Sequence, residues 1–333
     1  MPRSEKQKQK LFRLLEILIR DTDETTGVSM KEILEKLDGY GICAERKSIY
    51  DDILTLGELG FDIITLPTKP PKYTLSNRPF EFAELKMLVD AVETSKFVTR
   101  KRSNALIEKL RFYAGKNRSG ELRRSVYVED RIKTENDYSV ENIDLLHRAI
   151  NENCKISFTY FDYTGEKKRI LRHNGKRYLV SPAALLLSED NYYLVAYDAA
   201  AETNKNFRVD KMLDIVIEEE KRDSAVTEGR FNPAEYSRKV FGMYGGREEL
   251  VTLECSEHLA GVMIDRFGKD VSFFKTPLGF RLSVRVMLSP NFYGWVLGFG
   301  KDVRILAPES VRNELLSLLD DVKNAYGVKN EEI

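Results

Sequence analysis

Two apolar runs, residues 183–187 and 192–197, flank Ser188-Glu189-Asp190-Asn191, a polar cluster of the length and chemistry that turns one strand back on the next. This hairpin lies among short strand candidates at residues 155–161, 167–172, 177–182, 192–197 and 207–217. Strands so short and so closely spaced, behind a helix pattern over residues 140–151, predict a small, strongly bent barrel. The last candidate carries two cations, Arg208 and Lys211, in an otherwise β-prone run. Strand alternation places Arg208 and Asp210 on one side and Lys211 on the other, so an internal ion pair between Arg208 and Asp210 competes with a ligand-facing role.

The chain before the barrel is helical. Leu11, Leu14, Leu15, Leu18 and Ile19 form one apolar stripe, and Ser29-Met30-Lys31-Glu32 is a capping-box start for a second helix that ends at Asp38-Gly39-Tyr40-Gly41. A third helix is expected to bury Ile49, Ile53, Leu56 and Leu59 while Arg46, Lys47 and Tyr50 project from its first turns. Two short strands follow, around a Pro67-Thr68-Lys69-Pro70-Pro71 turn. Three helices and a hairpin make the winged helix-turn-helix pattern, whose third helix lies in the major groove. Candidate DNA contacts are Arg46, Lys47, Ser48 and Tyr50 on that helix, with Lys69 and Lys72 on the hairpin. A small helical dimerisation module is the competing reading, because residues 1–60 have no basic excess.

Residues 81–114 read as helix again, closed by Gly115. From Lys96 to Lys133 twelve basic side chains stand against four acidic ones, which suits either a solvated helix face or a polyanion contact. Over the whole chain 53 basic residues balance 53 acidic ones, which argues against a protein that coats nucleic acid non-specifically. The last part reads strand, helix, two strands, helix, strand, with a closing helix at residues 309–326: the ferredoxin-like order. Hydrophobic content of 42% with 32% charged residues describes a folded α+β multidomain protein. No apolar run is long enough for a bilayer and no signal-like segment opens the chain, so a cytoplasmic protein is expected.

Catalytic motifs are not found: no Walker A loop, no G-x-S-x-G, no H-E-x-x-H, and His147, His173 and His258 stand alone. No enzyme, metal site or cofactor is expected, and Cys43, Cys154 and Cys255 are expected to be reduced, buried thiols.

Several segments resemble a known family. Arg46-Lys47-Ser48-Ile49-Tyr50-Asp51-Asp52-Ile53, with Leu59-Gly60-Phe61-Asp62-Ile63 after it, resembles the recognition helix and wing entry of bacterial regulators that carry a WYL domain. Tyr160, Ser181-Pro182, Tyr192-Tyr193-Leu194 and Phe207-Arg208-Val209-Asp210-Lys211 resemble the WYL domain itself, an Sm-like β-barrel named for its Trp-Tyr-Leu triplet. Tyr192 stands where the name has Trp, and Ala183-Ala184 where some members carry a histidine. Asp265-Arg266-Phe267-Gly268 and the glycine-rich residues 292–300 resemble the C-terminal extension (WCX) that follows many WYL domains.

The resemblance implies a winged helix-turn-helix domain (1–78), a helical linker (79–138), a WYL domain (139–222) and a ferredoxin-like α/β extension (223–333). It implies a homodimeric bacterial transcription regulator that binds a double-stranded DNA operator and senses a small anionic ligand, a nucleotide or single-stranded nucleic acid. Expected effector contacts are Tyr160, Ser181, Tyr193, Arg208 and Lys211, with Arg169 and Arg172 as outer contacts: arginine forks pair with phosphate and tyrosines stack on bases. The alternative is an accessory protein that holds single-stranded nucleic-acid ends for a partner enzyme. An unrecognised nuclease is a third, weaker reading.

Overall fold

The computed structural model describes residues 7–122, 132–227 and 231–327. The chain divides into two compact units, residues 1–137 and 138–333.

The first unit runs α1 (Gln7–Asp21), β1 (Val28–Ser29), α2 (Met30–Gly39), α3 (Arg46–Glu58), β2 (Ile63–Leu66), β3 (Lys72–Leu75), α4 (Phe82–Thr94) and α5 (Arg100–Arg111). Leu14, Ile17 and Leu18 of α1 recur at helical spacing and are fully buried against Ile33, Leu37, Ile49, Leu56 and Leu75. The α2 start is the expected capping box: Glu32 Oε2 accepts the Ser29 N–H at 2.7 Å while Ser29 Oγ accepts the Glu32 N–H. β2 and β3 pair antiparallel from Ile63↔Leu75 to Leu66↔Lys72, and β1 adds a third strand beside β3. Leu59 departs from expectation. It is 63% exposed, because α3 ends at Glu58 and the chain turns at Leu59 before its side chain reaches the core.

The single helix read over residues 81–114 is two. Residues 95–99 break it, and Thr99 restarts α5 by accepting the Arg102 N–H. Part of the basic run is structural. Lys133 Nζ donates to the Val92 and Ser95 carbonyls at 3.1 Å each and to Ser103 Oγ at 2.8 Å, closing the C-terminal end of α4. Arg118 pairs with Glu24 at 3.0 Å and lies over the Phe82 ring. Arg123, Arg124 and Arg131 of that run lie outside the described residues.

The second unit opens with α6 (Ser139–Asn151), then β4 (Cys154–Tyr163), β5 (Arg169–Leu171), β6 (Tyr178–Ser188), β7 (Asn191–Asp198), β8 (Thr203–Arg208) and β9 (Met212–Lys221). These six strands form an antiparallel sheet in the order β5-β4-β6-β7-β8, with β9 also on β4. β4 pairs β6 through residues 156–158 and β5 through residues 161–163, so the sheet curls into a half-barrel over α6. Its core holds Leu146, Ile156, Phe158, Tyr160, Leu194, Phe207 and Met212.

The hairpin forms where expected. Glu189 (φ 49°) and Asp190 (φ 62°) make a two-residue left-handed turn whose twist matches the flanking strands. The two runs read as residues 177–182 and 183–187 are one strand, β6, with the register slipping between Pro182 and Ala184 because proline has no N–H for the ladder. The strand read over residues 207–217 is instead β8 and β9, separated by one 3₁₀ turn at Val209–Lys211.

Then come α7 (Ser224–Thr227), α8 (Pro233–Lys239), β10 (Arg247–Ser256), α9 (Ala260–Phe267), β11 (Phe274–Lys275), β12 (Gly279–Leu288), α10 (Pro290–Leu297), β13 (Val303–Ala307) and α11 (Glu309–Ala325). The second sheet is antiparallel in the order β11-β12-β10-β13. Alternate residues Val251, Leu253 and Cys255 of β10 and Leu282, Val284 and Val286 of β12 face Met263, Phe267, Phe292 and Val311 of the helices. Tyr236, Val240 and Met243 pack on Val195 and Met287, joining this sheet to the half-barrel. Burial pushes the Cys255 thiol up to about 12, while Cys43, expected to be buried, is exposed in the link between α2 and α3.

Candidate functional site

The break in the cationic strand creates the site. Because the 3₁₀ turn at Val209–Lys211 interrupts the extended backbone, strand alternation does not apply across it, and Arg208 and Lys211 line the same cavity of about 560 Å³. Tyr160, Arg172, Tyr178, Tyr193, Lys205 and Asn206 share its wall with them, as do Gly242, Met243, Tyr244 and Gly245.

Each cation is anchored by a carboxylate. Arg208 donates from Nε and Nη2 to the two oxygens of Asp210 at 3.1 and 2.8 Å, and its Nη2 also reaches Asn191 Oδ1 at 3.0 Å. Asp162 takes Lys211 Nζ at 3.0 Å on one oxygen and Arg172 Nε on the other. Lys205 pairs with Asp198 at 2.6 Å. Four cations line the cavity, and no carboxylate is among its lining residues. The effect on charge is mutual. Burial pushes the Asp162 carboxyl up, but the hydrogen bonds from Arg172 and Lys211 outweigh it and hold the group below its ordinary range. Burial likewise opposes the charge of Arg208, and Asp210 more than restores it.

The tyrosines divide into wall and support. Tyr160 is 5% exposed; its hydroxyl accepts the Arg208 N–H at 3.1 Å, and its ring meets Tyr178 and Phe207 edge-on with the Arg172 guanidinium 4.9 Å above it. Burial drives its phenol up to about 12, so it stays neutral. Within Tyr192-Tyr193-Leu194, Leu194 is fully buried and Tyr192 packs on the half-barrel core, while Tyr193 turns to the other face, beside Arg208 in the ladder, and lines the cavity.

Two expected contacts lie elsewhere. Ser181 is fully buried, its hydroxyl donating to Asp223 Oδ2 at 2.7 Å and accepting the Asp223 N–H at 2.9 Å, a lock between β6 and the start of α7. Arg169 lies on β5 over the Phe161 ring at 4.8 Å and is not among the residues lining the cavity. Lys205 and Asn206 were missed by sequence reading because Thr203-Asn204-Lys205-Asn206 has no apolar alternation and reads as loop.

In the first unit Arg46, Lys47 and Tyr50 are exposed on the opening turns of α3. Among the described residues neither Arg46 nor Lys47 has a side-chain hydrogen bond or ion pair. Tyr50 meets Tyr73 of β3 edge-on at 6.3 Å, with their hydroxyls 3.4 Å apart. Ser48 is half-buried and engaged: Lys10 Nζ donates to its hydroxyl and pairs with Asp52 at 2.8 Å, tying α1 to α3. Lys69 is exposed on the loop between β2 and β3, and Lys72 is half-buried in the ladder.

Residues 141–217 match the model of the WYL domain and residues 247–322 that of the WCX domain. No curated protein matches the chain. Sixteen chains of solved structures do, among them the proteasome accessory factor B/C (PafBC) of Arthrobacter aurescens, 20% identical over 96% of this chain and 49% of that one with a TM-score of 0.31. Another is the crystal structure of a CRISPR Cas-related protein, 14% identical over 75% of this chain and 72% of that one with a TM-score of 0.36. The chain spans about half the length of the first. At TM-scores this low neither likeness bears on fold or function. Among the described residues no helix is long and apolar enough to cross a membrane. The half-barrel and the four-stranded sheet after it fall on the two matched segments, and the chain contains a WYL domain followed by a WCX domain.

Proposed function

We propose that this chain is a ligand-responsive, cytoplasmic transcription regulator of bacterial type, acting as a homodimer on a double-stranded DNA operator. The observation that carries the proposal is the cavity lined by Arg172, Lys205, Arg208 and Lys211, each cation anchored by a carboxylate that is not itself in the lining. Anchored guanidinium and ammonium groups beside tyrosine rings are the chemistry of a phosphate-bearing, base-bearing ligand, and holding them in place beforehand lowers the entropy cost of binding it. The effector is accordingly a nucleotide or a short single-stranded nucleic acid.

Residues 1–78 act in this proposal as the winged helix-turn-helix domain, with α3 as the helix that enters the major groove. Exposure of Arg46, Lys47 and Tyr50 at its start supports that assignment, as do β2 and β3 in the place of a wing. Residues 79–138 form the linker, residues 139–222 an Sm-like barrel, and residues 223–333 the extension, whose strand order β11-β12-β10-β13 suits a ferredoxin-like sheet.

The test is a gel shift on the DNA upstream of the chain's own coding sequence with excess competitor duplex. The wild-type complex should survive competitor, and Arg46→Ala with Lys47→Ala should weaken it, with a shallower dependence on salt. Binding to single strands with no preferred duplex would instead fit an accessory protein that holds nucleic-acid ends.

A further inference from the structure

We infer that Tyr244, on the connector between the two matched domains, is the base-stacking wall of the cationic cavity, so that a ligand sets its phosphate on the half-barrel and its base against the connector. The inference rests on the proposed reading of that cavity as a nucleotide or single-strand site. Tyr244 belongs to neither matched segment, since one ends at residue 217 and the other begins at residue 247. It nevertheless lines the same cavity as Arg208, Lys211 and Tyr193.

The turn that presents Tyr244 is pinned. The Tyr244 N–H donates to the Phe241 carbonyl at 3.1 Å, and Gly242 and Met243 between them both take left-handed φ values, 57° and 59°. A methionine held there is strained, and strain persists only where the surroundings impose it. Here the Met243 carbonyl accepts Asn206 Nδ2 at 2.8 Å, Asn206 Oδ1 accepts the Tyr236 hydroxyl at 3.0 Å, and Met243 itself is 5% exposed against Val195, Tyr236 and Val240. Gly242 sits at a left-handed φ of 57°, where a side chain is strained, and a Cβ there would lie 2.3 Å from Asn291 Nδ2, so the Asn291 side chain would have to move. The half-barrel therefore holds the turn on one side and the start of α10 closes on it from the other.

On this fixed turn Phe241 and Met243 are buried, yet Tyr244 between them and solvent remains 56% exposed. The bland explanation is a surface tyrosine that keeps its hydroxyl wet, and it accounts for exposure alone. Ring occupancy separates Tyr160 and Tyr178 from the other two cavity tyrosines, Tyr193 and Tyr244, and of these Tyr193 is half-buried while Tyr244 is exposed. Tyr160 and Tyr178 spend their faces and edges on Phe158, Phe207 and each other, whereas among the described residues the Tyr244 ring meets no other aromatic ring. An aromatic face left open beside four anchored cations, on a turn held by hydrogen bonds and packing, is what stacking on a base requires. A ligand held in this way touches both the half-barrel and the connector to the second sheet.

The experiment is calorimetric titration of the full chain with adenosine monophosphate, with a single-stranded hexamer of deoxyadenylate, and with an abasic hexamer carrying the same phosphates. Tyr244→Phe, which keeps the ring, should bind as wild type. Tyr244→Ala should lose about ten- to a hundredfold on the probes that carry bases and nothing on the abasic one. Arg208→Ala should weaken all of them, and the tighter of the two base-bearing probes distinguishes a free nucleotide from a strand. Stacking is refuted if Tyr244→Ala binds the base-bearing probes as wild type does while Arg208→Ala loses them, or if it loses the abasic probe equally. If the wild-type chain binds no probe, or Arg208→Ala binds each as wild type does, the cavity assignment falls and the inference with it.

Discussion

Arg208 shows how a cation on a strand can be held in an ion pair and still be exposed on a cavity wall. Its fork is engaged by Asp210 and Asn191, its backbone N–H by the Tyr160 hydroxyl, and its side chain is still 36% exposed on the cavity wall. Tyr160→Phe removes the acceptor and leaves the Arg208 N–H unpaired, so it should cost about 1–3 kcal/mol in denaturant unfolding. Full stability in that variant would mean that water or another group replaces the hydroxyl. Asp162 is the second anchor, with a carboxyl held low by Arg172 and Lys211 after burial is overcome. A depressed carboxylate contributes stability above its unfolded pKa, near pH ~4, and loses it as the pH falls through the lower folded value. Asp162→Asn should therefore be less stable than wild type at neutral pH and should converge with it below that window, read by thermal melting across pH. The resemblance pointed to Arg208, Lys211, Arg172, Tyr160 and Tyr193, which share one cavity wall; it did not reveal that Ser181 serves Asp223, because a buried serine and a ligand serine look alike in sequence.

At the scale of elements, local chemistry with a strict geometry was legible. The Ser29 capping box, the turn at Glu189 and Asp190, and the helices and strands after Arg247 form where their patterns predict. Failures came where a long-range contact or a short break decided the outcome. The Val209–Lys211 turn interrupts a β-prone run without glycine or proline to mark it, and β1 and α8 are too short to carry periodicity. Gly115 is a case in which sequence gave the residue its place but not its reason. It stops the helical segment at φ 81°, and a Cβ there would lie 2.2 Å from the Thr22 carbonyl at the end of α1. Gly115→Ala should accordingly destabilise the first unit by more than about 1 kcal/mol, well beyond the usual cost of a surface substitution. An unchanged midpoint in chemical denaturation would show that the two segments can part without penalty.

For the whole molecule, the candidate DNA contacts belong to one compact unit and the cationic cavity to the other. Regulation in such a chain requires that the ligand bind more tightly to one DNA-binding state than to the other, and the coupling is reciprocal. In the proposed function the cavity binds the anion, and Arg46, Lys47 and Tyr50 of the N-terminal unit meet the duplex. Linkage between them is the central claim. Its most direct test is duplex affinity on the chain's own upstream DNA, measured with and without a saturating short single strand, for wild type and Arg208→Ala. The account predicts that the single strand changes the affinity of the wild-type chain and leaves that of Arg208→Ala where it was. An equal change in both, or none in either while the single strand is bound, would contradict it.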